Sequence, residues 1–248
     1  MSIKTQKITR KTHRYLGLFI GVQFLFWTIG GLYFSWNDMA DVHGETLIDK
    51  TEHTFDFQYE EPARKLLSYI QETNPKPIRS IEGIIIKEDS LLRIVRINDI
   101  VFINLTKDKY SSRKGLSKEE AVAFVKSRLY KPLQIRNVNY LTEKDITQGH
   151  EYREKPLPVY AITLKHPTNT IVYVNPELAK ITSVRNDNWR RFDFLWMLHV
   201  MDFETRDNIT NWTLRVFSVL GLLTILSGLY LFVISSPTIR KVKNKLKK

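Results

Sequence analysis

The chain has 248 residues, carries 38 Lys and Arg against 26 Asp and Glu for a formal net charge of +12, and has no cysteine. The missing cysteine excludes disulfides, thiolate metal sites and a cysteine nucleophile. No phosphate loop, dinucleotide fingerprint, zinc-protease motif or other nucleophile motif occurs, so the residues by themselves define no enzyme.

The charge is concentrated at the two ends. Lys4, Lys7, Arg10, Lys11 and Arg14 precede Tyr15, and Arg240, Lys241, Lys243, Lys245, Lys247 and Lys248 follow Ile234, with no acid in either flank. These account for nearly all of the net charge and leave a near-neutral centre, which argues against nucleic acid as a partner. Between the flanks lie two uncharged apolar runs, Tyr15 to Trp36 and Val216 to Ile234, of 22 and 19 residues. A helix over the first is about 33 Å long, enough for the ~30 Å hydrocarbon layer of a bilayer, where backbone polar groups must be satisfied within the segment. Tyr15, Trp27, Tyr33, Trp36 and Trp212 stand where aromatic belts are expected. The positive-inside rule places both termini in the cytoplasm and the centre outside. The first run exceeds a signal-peptide core, and no small-residue cleavage site follows, so an uncleaved anchor is expected.

Residues 37–59 form a polar connector with Asp38, Asp41, His43 and Glu45 close together. This is an oxygen and imidazole set that could take a divalent metal, or could simply be solvated. Glu60-Glu61-Pro62 opens a helix with Ala63, Leu66, Leu67 and Ile70 on one face, stopped at Asn74-Pro75-Lys76-Pro77. Strands are expected at Ile81–Ile86, Leu91–Ile97 and Ile100–Leu105. Ser117 and Glu120 make a capping box for a second amphipathic helix with Ala121, Val122, Phe124, Val125 and Leu129 on its face. Strands follow at Ile135–Leu141, Val159–Leu164, Thr170–Val174 and Lys180–Val184. Ile100-Val101-Phe102-Ile103-Asn104 and Ile171-Val172-Tyr173-Val174-Asn175 lie 71 positions apart, each after a helix and other strands. The expected fold is therefore α+β: two helix-plus-antiparallel-sheet repeats, 60–114 and 115–187, held between transmembrane helices 15–36 and 212–234. The basic tails are 1–14 and 235–248. Residues 188–211, around Trp189 to Met201, are too short to span and predict an interfacial helix and turn.

His13-Arg14-Tyr15-Leu16-Gly17, Trp196-Met197-Leu198-His199 and Ser227-Gly228-Leu229-Tyr230-Leu231 resemble signatures of the PepSY-associated transmembrane family, and the repeats are similar to PepSY domains. The resemblance implies a bacterial inner-membrane protein with a periplasmic centre. It implies either haem held by histidines for reduction of iron-siderophore chelates, or a non-enzymatic module that binds a peptide, regulates a protease or senses the envelope. His13 and His199 lie a membrane's thickness apart and cannot clasp one haem within a monomer. His199 could pair with His43, Met39, Met197 or Met201, whereas His13 needs a partner chain, in a homodimer or with another membrane subunit. Gly17, Gly21, Gly221 and Gly228 predict close helix packing, and Gln23 a hydrogen bond between helices.

Overall fold

The computed structural model describes residues 3–50, 68–72, 77–86, 89–97, 99–104 and 112–237. The start of the first amphipathic helix and most of the C-terminal basic tail lie outside these residues. The described chain divides into two compact units, residues 38–190 and residues 1–37 with 191–248.

In the central unit, β1 (Ile78–Ile86), β2 (Asp89–Arg96), β3 (Ile100–Asn104) and β4 (Ser112–Arg113) form an antiparallel sheet in chain order. A second sheet repeats the plan with β5 (Ile135–Leu141), β6 (Val159–Leu164), β7 (Ile171–Asn175) and β8 (Lys180–Arg185). The repeat extends to the register. The two similar pentapeptides are the third strand of each sheet, and the first strand of each sheet has an irregularity beside an arginine, Arg79 in one and Arg136 in the other.

Two helices precede the sheets. α3 covers residues 68–72 and places Ile70 on Leu92, Ile94 and Ile103, one face of the first sheet. α4 (Lys118–Arg128) starts at the expected capping box, where the Ser117 hydroxyl accepts from the Glu120 amide and the Glu120 carboxylate from that of Ser117. It covers the equivalent face of the second sheet, with Ile162 and Val174, but it also meets Leu91 and Phe102 on the far face of the first. This explains the unbroken apolar run Ala121 to Val125: sheet lies on both sides of α4, so one apolar stripe would leave the other side bare. The far face of the second sheet is closed by residues 142–158, which place Tyr152 against Val159, Ala161 and Tyr173. The sheets are also joined by polar contacts. Buried Arg93 of β2 pairs with Glu82 and donates to the Leu178 carbonyl at 2.7 Å, and the Leu116 amide donates to the Pro176 carbonyl at 3.1 Å.

The beginning of the expected connector packs as part of this core. α2 (Met39–Val42) buries Val42, Ile48 joins the α4 cluster, and Ile48 bridges to Leu129. Gly44 adopts φ +72°, and a Cβ there would stand 2.5 Å from Val184 Cγ1. Gly44→Ala is expected to cost about 1–3 kcal/mol through strain and overpacking, seen as a lower denaturant midpoint. An unchanged midpoint would contradict this packing.

In the other unit, α1 (Ile3–Trp36) and α6 (Trp212–Ser235) are both long and apolar enough to cross a membrane. α1 begins well before Tyr15 because neither Gly nor Pro interrupts Ile3 to Arg14. At about 51 Å it exceeds the bilayer core. The two helices run antiparallel: a Cβ on Gly228 would meet His13 at 3.0 Å and one on Gly221 would meet Phe24 at 3.2 Å. Gly17 faces Thr224, while a Cβ on Gly21 would meet nothing, so one member of that glycine pair serves the contact. Beyond Phe24, α1 packs against the end of α5 (Asp187–Val200): Phe34 meets Phe192, and Gly30 faces the Leu195 carbonyl.

Candidate functional site

The last carbonyls of a helix have no partner within it. At the end of α5 three of them are satisfied in succession. Gln23 donates to the Leu198 carbonyl at 2.9 Å, Trp27 Nε1 to that of His199 at 2.8 Å, and Asn211 Nδ2 to that of Val200 at 2.9 Å. Gln23 therefore makes the expected hydrogen bond between helices, and α5 lies against α1. This arrangement fixes the backbone of His199.

The His199 ring sits among aromatic rings. It is near-parallel to Trp196 with centroids 6.0 Å apart, tilted to Trp27 at 6.0 Å and edge-on to Phe34 at 6.1 Å. Phe192 extends the cluster by packing on Phe34 at 4.7 Å. His199 Nδ1 is enclosed and has no hydrogen-bond partner among the described residues.

The tautomer of His13 follows from its partner on α6. Its Nδ1 lies 2.8 Å from Ser227 Oγ, and that hydroxyl donates its proton to the Thr224 carbonyl at 2.9 Å. Nδ1 must then donate, and Nε2 is the basic nitrogen. His13 and Trp27, which touches His199, are about 21 Å apart along α1, so the two histidines serve different levels.

The connector residues are engaged separately in the central unit. Asp38 caps α2 by accepting from the Ala40 amide at 2.9 Å, and Asp41 accepts from Thr46 and Asn188. Glu45 lies 3.6 Å from Lys50 and 3.9 Å from His43. Burial lowers the Lys50 pKa, although Glu45 acts to raise it. Among the described residues no group of three or more His, Cys, Asp or Glu is gathered so that it could hold a metal ion. Met39 belongs to the same unit as His43; Met197 is on α5, and Met201 follows it, buried, at φ +56°.

The aromatic cluster was not singled out as a site from the sequence, although its periodicity is visible there. Phe192, Trp196 and His199 recur at i, i+4 and i+7 on α5, and Trp27 and Phe34 at i and i+7 on α1. What periodicity lacks is the long-range pairing of these two faces.

The chain is thus an α+β protein whose described residues form two four-stranded antiparallel sheets and two helices fit to cross a bilayer, with histidines at two levels of the helical unit. No protein-family model, curated protein or solved structure matches it.

Proposed function

We propose that this chain is a PepSY-type protein of the bacterial inner membrane, with cytoplasmic termini and a periplasmic centre, that holds haem at His199 in the reduction of iron-siderophore chelates. The supporting observation is the enclosed His199 imidazole, set among aromatic rings, whose Nδ1 has no hydrogen-bond partner among the described residues. This donor chemistry fits haem iron, and haem would supply one-electron transfer there. This chain's own residues do the positioning: Gln23 and Trp27 fix the end of α5, while Trp196 and Phe34 fix the ring. His13 would offer a second nitrogen at another level, where it would need a partner from another copy of the chain or another membrane subunit.

Purification of the full chain in mild detergent, with haem supplied during expression, tests this reading. A Soret band is expected in the wild type and is expected to be lost in His199→Ala. A colourless wild-type protein would overturn it and leave the second reading, a non-enzymatic binding module, which is favoured by the two-repeat central unit.

A further inference from the structure

The hairpin between the second and third strands differs between the two repeats, and a basic cleft lies beside the longer one. In the first repeat the Arg96 amide donates to the Asp99 carbonyl, with two residues between them. The equivalent bond in the second repeat runs from the Leu164 amide to the Thr170 carbonyl and encloses the five residues Lys165 to Asn169. The longer loop stands beside Arg136, the extra residue at the irregularity between Ile135 and Asn137. Such irregularities redirect a side chain out of the regular alternation. Together Arg136, Leu164, Lys165, His166 and Pro167 line a cleft of about 580 Å³, within the range of small-molecule sites.

Among the described residues the lining contains three side chains with nitrogen donors and no carboxylate. Arg136 makes no ion pair or side-chain hydrogen bond among the described residues, and Lys165 Nζ has only the Gln134 amide oxygen at 3.4 Å. His166 Nδ1 accepts from the Thr168 amide at 3.4 Å and lies 2.7 Å from its hydroxyl. Since a backbone amide can only donate, the His166 proton lies on Nε2, a third donor. Two uncompensated cations and an N–H donor, against apolar Leu164 and Pro167, suit an oxyanion-bearing ligand.

We infer that this cleft binds a small molecule carrying two or more oxyanion groups, carboxylate or phosphate. The inference stands on the cleft alone and is independent of haem at His199.

The test is calorimetric titration of the full-length protein in detergent with citrate and, separately, with pyrophosphate, which distinguishes carboxylate from phosphate ligands. Saturable binding of at least one is expected. It should weaken about tenfold or more in R136Q/K165Q, remain unchanged in Arg79→Gln at the equivalent position of the first repeat, and persist in His199→Ala. Arg136 and Lys165 are exposed, so the double variant should keep the wild-type circular dichroism spectrum. Absence of binding by the wild type, or equal binding by R136Q/K165Q, would overturn the site; the latter would assign any affinity to the basic tails.

Discussion

Phe124→Ala should destabilise the central unit by about 3–5 kcal/mol, as expected for an aromatic side chain lost from a packed core. For a unit of this size the melting temperature falls by about 10 °C. The side chain is 5% exposed and shares one cluster with Leu91 and Phe102 of the first sheet and Ile162, Leu164, Val172 and Val174 of the second. Its removal opens a cavity bordered by both sheets, and neither can close it without moving relative to α4. Both sheets should therefore lose amide protection together: hydrogen exchange at Leu92 and Ile94 should accelerate in step with exchange at Ile162 and Val172. Acceleration confined to β6 and β7 would show that the repeats are energetically separate. Ile70→Ala serves as a comparison, because among the described residues Ile70 packs on the outer cluster of the first sheet and not on the shared core.

The shared core also shows where the sequence was legible. Strand positions follow from short β-branched runs bounded by turns, and β6 begins and ends at the expected residues, Val159 and Leu164. The start of α4 follows from the local pairing of Ser117 with Glu120. Periodicity identified the apolar character of α4 but gave it one face, because the second partner is a strand of the preceding repeat. The connector was hardest to read. Val42 and Ile48 are isolated apolar residues among polar ones, and their burial depends on Gly44 meeting Val184, far along the chain. An excised 60–187 fragment would lack both residues, whereas 38–190 retains them.

The histidines divide along the same line. Position near the ends of the apolar runs, with the family resemblance, marked His13, His43 and His199, but what holds each ring depends on distant neighbours. Ser227 is distant from His13 in sequence, and Trp27 and Phe34 are distant from His199. For Asp38, Asp41, His43 and Glu45, proximity along the chain did not indicate what each group does. Asp38 is a helix cap, and Asp41 holds Thr46 and Asn188.

Asp202→Ala should release the turn between α5 and α6, at a local cost of about 2–3 kcal/mol for the hydrogen bonds one carboxylate receives. One oxygen accepts from the Glu204 and Thr205 amides, each at 3.3 Å; the other accepts from the Asn208 amide at 3.0 Å and from the Thr205 hydroxyl. Burial acts to raise the Asp202 pKa, but these donors, led by the Thr205 hydroxyl, outweigh it and hold the carboxyl at about 2, below the ordinary 3.8. A pKa lowered by folding means that the folded turn favours the ionised form. Its stabilising contribution is complete above the ordinary value and is lost as pH falls from about 4 through 2. Exchange at the Glu204, Thr205 and Asn208 amides, corrected for intrinsic rates, should therefore be slow at pH 5 and accelerate across that acid window in the wild type. In Asp202→Ala it should be fast at pH 5 with no acid step. A variant that keeps wild-type protection at pH 5 would show that the turn is held instead by the Asp193–Arg206 pair and by Asn211, which caps α6 through the Leu214 amide at 2.8 Å.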